Sequence, residues 1–360
     1  MLFKIVKRSE ISKEKSICIR ILAVLLALIT SGIFILLLDL NPLEVYWAMV
    51  QGAFGSKYRI EQTIIKAIPL IITSLGIAVA FKMKFWNIGG EGQIIMGAFA
   101  ASFFALRFPD LPRPLLLSLM IIAAVVAGGL WALIPAFFKA QFDTNETIVT
   151  LMLNYIALKW ITYLQYGPWR DPAAQGFPKI PNFSENAILP DLLGVHIGWV
   201  IALALVFIMY IFMNHSKLGF EIAVLGESEN TARYAGVNIK KTILLALAIS
   251  GGLCGLTGMI EASAVCNTLS VEVTGGVGFT AIVTTWLGAL SAPIILVVSF
   301  LFAALIQAGS FIQTAFGIPA AAAQILEGMI LFFVLGSEFF VRYKLTKNGG
   351  FSLNLKKEVS

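Results

Sequence analysis

Apolar runs of membrane-crossing length follow one another along this chain with little between them, and few features leave a fold so little choice. A bilayer's hydrocarbon core is roughly 30 Å thick and takes about 20 helical residues to cross. Inside it every backbone polar group must be bonded within the protein, so a span is either a helix or a strand of a closed barrel. About ten runs read as helical spans: Ile17–Leu38, Ile64–Phe81, Ile88–Leu106, Pro114–Phe138, Thr147–Tyr163, Gly198–Met213, Thr242–Ala262, Val277–Leu290, Ile294–Ile312 and Ala321–Val341. The eighth is short and reads as tilted or broken. The 360 residues are 58% hydrophobic and only 13% charged, too little charge for the surface of a soluble protein of this length. The expected fold is all-α and polytopic, one transmembrane domain over residues 1–345 with a short tail over 346–360.

Basic residues place the ends. Lys4, Lys7, Arg8, Lys13, Lys15 and Arg20 precede or open the first run, and Arg342, Lys344, Lys347, Lys356 and Lys357 follow the last. Lys and Arg near span ends stay cytoplasmic, so both termini face the cytosol and the number of spans is even. Lys82, Lys84, Lys139, Lys217, Lys240 and Lys241 then fall inside as well; Arg107 and Arg113 fall in a short outer loop and fit less well. The net charge of +6 is thus a record of topology and gives no reason to expect a nucleic-acid partner. The first run is too long for the apolar core of a signal peptide, and no cleavage site is expected. Cys18, Cys254 and Cys266 are single and lie in or near spans, which argues against a disulfide framework or a zinc site.

Catalytic constellations are missing from the sequence. His196 and His215, its 2 histidines, fall on opposite sides of the membrane, the aspartates lie at or beyond span ends, and no phosphate loop or Gly-x-Ser-x-Gly elbow occurs. No catalytic or metal-ligating residue is expected, and the chain reads as no enzyme.

Meaning concentrates in three polar segments. In Asn87-Ile88-Gly89-Gly90-Glu91-Gly92-Gln93, closely spaced glycines disfavour a helix just where a span begins. Glu91 is too costly to face lipid; it reads either as a pathway or gate residue or as a carboxylate that caps exposed N–H groups. In Asp143–Tyr155, Asp143 and Glu146 resemble a capping box, and Thr147, Thr150 and Asn154 make one polar stripe, either glue between helices or the lining of a conduit. Gln307, Gln324 and Glu327 invite the same two readings. Glu261 and Glu272 bracket an outer loop and are expected to be solvated. The third segment, Gly226-Glu227-Ser228-Glu229-Asn230-Thr231-Ala232-Arg233-Tyr234-Ala235-Gly236, reads as a short cytosolic helix. Ser228 is its N-cap, Glu229 and Arg233 suit its dipole, and Gly236 can take the left-handed position after it. Gly219 and Gly226 are expected to break the chain before it. The longest outer loop, Gln165–Ile197, is rich in proline and carries Trp169 and Phe177; it reads as a cap over the outer mouth, a surface for a partner, or a plain connector.

With these segments the chain resembles the permease subunits of ATP-binding-cassette importers, in the family serving simple sugars, nucleosides and branched-chain amino acids. The Asn87–Gln93 and Asn145–Tyr155 segments are similar to two signatures of that family and point to its nucleoside or simple-sugar branch. Ser216–Glu221 through Tyr234-Ala235-Gly236 resembles its coupling region, and the glycine-rich run Ser250–Gly258 follows. Trp86 departs from a usual phenylalanine and Ala223 from a common arginine. The resemblance implies a second, homologous but non-identical permease, a cytosolic ATPase that binds ATP and magnesium, an extracytoplasmic substrate-binding protein, and no cofactor in this chain. It implies that Glu227, Ser228, Glu229, Asn230, Thr231, Ala232, Arg233 and Tyr234, within the coupling segment 217–241, engage the ATPase. It also implies that Asn87, Glu91, Gln93, Thr150 and Asn154 shape the substrate pathway or its gate. The competing reading is an ion-coupled secondary transporter of a small polar solute, which would need more buried ionisable residues than the spans contain.

Overall fold

The computed structural model describes residues 3–7 and 12–347. Arg8, Lys356, Lys357 and the 348–360 part of the expected tail lie outside them. In chain order the helices are α1 (Lys13–Leu36), α2 (Pro42–Phe54), α3 (Lys57–Lys82), α4 (Gly90–Arg107), α5 (Arg113–Phe142), α6 (Glu146–Tyr166), α7 (Gly198–His215), α8 (Lys217–Glu227), α9 (Glu229–Tyr234), α10 (Ile239–Ile260), α11 (Val277–Leu287), α12 (Ala292–Phe316) and α13 (Ala320–Arg342). Every expected span is helical, as α1, α3–α7 and α10–α13. Among the described residues 8 of these helices are long and apolar enough to cross a membrane. The exceptions are α4, whose 18 residues include Glu91, Gln93 and Arg107, and α11, which has 11 residues.

Two small antiparallel pairs were not expected of an all-α chain. Strands β1 (Phe3–Lys7) and β4 (Tyr343–Lys347) join the two ends of the described chain, with Phe3 opposite Lys347. Strands β2 (Asp191–Leu192) and β3 (Val195–His196) form a minimal hairpin around Leu193-Gly194, both in left-handed conformation, as such a two-residue turn requires. Hydropathy reads burial over long windows and is blind to pairs this short.

The chain forms two compact units. Residues 1–49 and 309–360 make the first, in which α1 packs along α13 and an Arg20–Glu338 ion pair of 2.7 Å joins them. There Tyr46 donates its hydroxyl to the Leu28 carbonyl at 2.5 Å, and Glu327 lies against Gly309.

Residues 50–308 make the second unit. Its centre is α10, packed between α4 and α5, with α3 on a further side. A Cβ on Gly97, Gly128 or Gly255 would collide with the backbone of the facing helix. Small residues let the helices approach this closely, which in lipid supplies the packing that the hydrophobic effect cannot. Helix α3 is the most enclosed span, whereas α7 shows Leu203, Phe207, Ile208 and Ile211 outward as a lipid-facing stripe. One end of this unit carries α8 and α9; the opposite end carries the β2–β3 hairpin.

Candidate functional site

The expected pathway residues meet where the chain leaves the helical state inside the bundle. After Lys82 ends α3, the backbone folds back, and α4 begins at Gly90. Gly90 sits against Ile77, the Cβ it lacks falling 3.3 Å from Ile77 Cδ1. That is about 7 Å back along α3 at 1.5 Å per residue. Irregular backbone at such depth needs partners that lipid cannot give, and the polar side chains supply them. Asn87 Oδ1 accepts from Gly89 N–H at 3.0 Å and from Gln93 Nε2 at 3.1 Å. Its Nδ2 donates to Gln93 Oε1 and to Ser250 Oγ on α10, both at 3.2 Å. From α6, Asn154 Oδ1 accepts from Gly92 N–H at 2.8 Å while its Nδ2 donates to the Ile88 carbonyl at 2.9 Å. Thr150, one turn earlier, bonds within its own helix to the Glu146 and Thr147 carbonyls and packs on Gly89. Asn87, Gln93, Thr150 and Asn154 are all buried.

A second break lies beside the first. Gly275-Gly276, both in left-handed conformation, lead into α11. Glu91, in the first turn of α4, reaches the start of α11: its Oε2 accepts from Gly278 N–H at 2.8 Å, and Thr274 donates its hydroxyl to Oε1. One carboxylate thus stands between two helix N-termini, each with unpaired N–H groups and partial positive charge. The face of α11 is strapped to α3 by Ser74 and Thr284, whose hydroxyls are 2.5 Å apart, and by Thr285, which donates to the Ser74 carbonyl at 3.0 Å. At its far end Trp286 meets Trp86 and Phe81, ring centroids 5.5 and 5.6 Å away. The two tryptophans share a spacing to following isoleucine pairs in the sequence; in the fold they touch.

The coupling segment forms as its caps dictate. Ser228 Oγ accepts from Thr231 N–H at 3.3 Å, and Glu229 pairs with Arg233 at 2.9 Å along the exposed face. At the other end Gly236, at φ +76°, lets Val237 N–H reach the Ala232 carbonyl and Gly236 N–H that of Arg233, a Schellman closure. Ala232 is buried; Glu227, Glu229, Asn230, Thr231, Arg233 and Tyr234 are exposed, Tyr234 at 94%. Gly219 and Gly226 do not break the chain. Both lie within α8 as points of close approach, Gly219 on the end of α7 and Gly226 on the Lys82 carbonyl and Met83 Cα. Lys82 Nζ donates to the Met213 carbonyl of α7 at 3.3 Å and Lys84 Nζ to that of Glu227 in α8 at 3.5 Å, so the end of α3 is tied to both helices. The residues that follow are the Asn87 knot.

Two local expectations are corrected. Asp143 does not open α6: it closes α5 in left-handed conformation, held at 2.8 Å by Lys139, which keeps its carboxyl below the usual carboxylate range. The N-cap is Asn145, whose Oδ1 accepts from Thr147 and Ile148 N–H. Glu261 is not solvated; it is 9% exposed at the start of a π-helical turn, Glu261–Cys266, that continues α10. At the hairpin end an open cavity of about 550 Å³ is lined by Arg107, Trp169, Arg170 and Phe183. Trp169 stacks on Phe99 at 5.3 Å, so the proline-rich loop is fastened down there.

Comparison with known proteins identifies the family. The family described as branched-chain amino acid transport system, permease component, matches residues 59–335. The glucose ABC transporter permease protein TsgB13 of Haloferax volcanii is 34% identical over 338 residues, 90% of this chain and 88% of that one. The guanosine ABC transporter permease protein NupP of Bacillus subtilis is 31% identical over 94% of this chain and 99% of its own length. A second guanosine permease of that organism, NupQ, is 30% identical over 62% of this chain and 72% of its own.

Proposed function

This chain belongs to the branched-chain amino acid transport permease family, and we propose that it is the membrane subunit of an ATP-driven importer that moves a nucleoside or simple sugar by alternating access. It is a multi-pass membrane protein and a permease, the class to which its relatives belong. The cargo reading rests on those relatives, named for glucose and guanosine. Ten spans with both termini cytosolic fit the helix order: α3 and α7 then run inward, α4, α6 and α10 outward, and α8 and α9 lie in the cytosol, within segment 217–241. ATP and magnesium belong to a cytosolic ATPase that grips α9. A second, non-identical permease completes the pair; that two guanosine permeases of one organism both resemble this chain favours it. A substrate-binding protein meets the 165–197 loop, where exposed Arg107 and Arg170 flank the open cavity. Asn87, Glu91, Gln93, Thr150 and Asn154 shape the conduit by fixing backbone, since their hydrogen bonds are spent within the chain. Broken helices are a recurrent way to build such a site in transporters.

The observation that carries this reading is the seat of the coupling elbow. A capped helix too short to stand alone is docked through one buried alanine and leaves its other faces open. The preceding α8, to which it is joined, rests through Gly226 on the α3 end that leads directly into the knot. The test is Tyr234→Ala. With 94% exposure, this side chain contributes almost nothing to the fold of the subunit. The substitution leaves subunit stability unchanged and lowers uptake and uptake-coupled ATP hydrolysis in reconstituted importer. Undiminished coupling would sink the proposal, and uptake without any ATPase partner would favour the ion-coupled alternative.

A further inference from the structure

At the hairpin end, a cavity of about 360 Å³ opens between α3, α7, α12 and the β2–β3 hairpin. Ile64 and Ile71 line it from α3, Trp199 and Ala202 from α7, Leu193 from the hairpin and Phe300 from α12. Every lining residue is apolar. Its one side-chain polar atom, the Trp199 indole N–H, donates to the Leu192 carbonyl at 3.3 Å. A nucleoside or sugar would lose its hydrogen bonds to water there and gain none, so the cavity is unfit for polar cargo.

Three observations favour a lipid tail. The cavity is continuous with the outward stripe of α7, where Leu203, Phe207 and Ile211 face the membrane. From Ile64 to Ile71 it runs about 10 Å along α3, much of the roughly 15 Å depth of one leaflet. On the same face of α3, at the helical spacing 57, 61, 64, 68, 71, stands Lys57, its side chain 87% exposed and loosely paired with Glu61 at 3.7 Å. The Lys57–Glu61 pair therefore sits above an apolar slot, with the Glu61 carboxylate against Gly194 of the hairpin and the Lys57 ammonium farther out, a charged end over an apolar one as in a lipid headgroup and its acyl chain. The hairpin adds a further sign. Leu193 occupies a left-handed turn position, φ +62°, that asparagine or glycine fills at less cost, and it is 80% exposed. A leucine there is strained by its backbone, and its side chain stands at the cavity wall open to an apolar neighbour.

We propose that this cavity holds one acyl chain of a membrane phospholipid, with its phosphate toward Lys57, as a bound lipid that completes the wall between α3 and α7. The inference is independent of the cargo and of the ATPase. It is tested on the importer complex purified in detergent and exchanged extensively into lipid-free detergent, with retained phospholipid measured by native mass spectrometry. The wild-type complex keeps a phospholipid on this subunit, Ala202→Trp loses it by filling the slot, and Lys57→Glu sheds it faster. Wild-type complex free of lipid, or Ala202→Trp retaining as much as wild type, would overturn the proposal. A second measurement covers a variant that fails to assemble. In nanodiscs of phosphatidylglycerol brominated at mid-chain, wild type shows a quenched tryptophan component that Trp199→Phe lacks. Absence of that component counts against a lipid. So does an efficient cross-link from Leu193→Cys to the second permease, which would put a protein side chain in the slot.

Discussion

Replacing Gly226 with alanine sets two physical effects against each other, and the structure says which wins. Alanine is the best helix former, favoured over glycine by about 1 kcal/mol in a helix interior, so α8 taken alone gains. The added Cβ, however, would collide with the Lys82 carbonyl oxygen and lie 3.0 Å from its carbonyl carbon and 3.2 Å from Met83 Cα. All three are backbone atoms that cannot rotate away. Carbon atoms rest about 3.5–4.0 Å apart and the oxygen overlap is tighter still, so α8 has to back off the end of α3 by at least about 1 Å. Overpacking of this kind costs about 1–3 kcal/mol, which outweighs the propensity gain, and the net loss is up to about 2 kcal/mol. It falls on the contact that links the coupling elbow to the Asn87 knot. If that contact transmits the ATPase stroke, a loss of about 1.4 kcal/mol lowers coupled hydrolysis about tenfold. The assay is thermal unfolding of the purified complex alongside uptake and ATP hydrolysis in proteoliposomes. Gly336→Ala in α13 is the internal control. Nothing stands within 4 Å of its Cβ, so there the propensity term acts alone and the subunit gains up to about 1 kcal/mol. A Gly226→Ala importer as stable as wild type, with full coupling, would show that α8 is not seated on α3 in the working complex.

Glu91→Gln keeps both hydrogen bonds, with the amide oxygen on Gly278 N–H and the amide nitrogen donating to Thr274. Glu91→Ala leaves Gly278 N–H orphaned at a helix start, at a cost of about 1–3 kcal/mol. The glutamine variant should therefore transport and melt much like wild type, while the alanine variant does neither; loss of transport in a stable glutamine variant would instead give the charge itself a part in conduction. His196 is buried against Gly198 with neither ring nitrogen bonded, and burial holds its pKa below the usual value despite nearby Asp191. The folded protein thus keeps it neutral, while the unfolded chain takes up a proton near pH 6.5. Its stabilising contribution is present above that pH and lost as pH falls toward the depressed folded value, by at most about 1.4 kcal/mol per unit. Melting curves from pH 7.5 to 5.5 should fall less steeply for His196→Leu than for wild type, and equal slopes would refute the assignment.

The long helices were legible because hydropathy over about 20 residues is a dense signal, and the short helix α9 because its caps are local: Ser228, Arg233 and Gly236 act within a few residues of themselves. What sequence could not give is partnership at a distance. Thr274 lies 183 residues from Glu91, and Ser250 lies 163 from Asn87; neither carries any mark of its role. The glycines of α8 look like breaks because a missing side chain reads the same whether it frees the backbone or admits a neighbour. Asp143 looks like a cap for α6 because Lys139, which draws it back to α5, belongs to the preceding helix. Glu261 looks solvated because a loop follows it, yet the helix continues as a π turn and carries it inward. Helix α2 went unread because its 13 residues are too few for a span.

A push on α9 cannot spread evenly through this subunit, because its parts are joined in different ways. The α4–α5–α10 block is held backbone to backbone at Gly97, Gly128 and Gly255, where any sliding meets hard contact at once. Helix α11 meets α4 backbone to backbone at its start, Gly278 on Glu91, and farther along is held by side-chain hydrogen bonds from Ser74, Thr284 and Thr285. It is bounded by left-handed residues at both ends, Gly275-Gly276 before it and Ala289-Leu290 after it. Such bonds exchange partners over small displacements at little net cost, and backbone at these positions can absorb large dihedral changes. In the proposed importer, motion entering at Gly226 would pass to Met83 and reach Asn87, which Ser250 pins to the rigid block. What can yield next is the far end of α11, where Trp286 meets Trp86. In the proposed importer the knot would then serve as a fulcrum, fixing the backbone of the conduit while the short helix beside it turns.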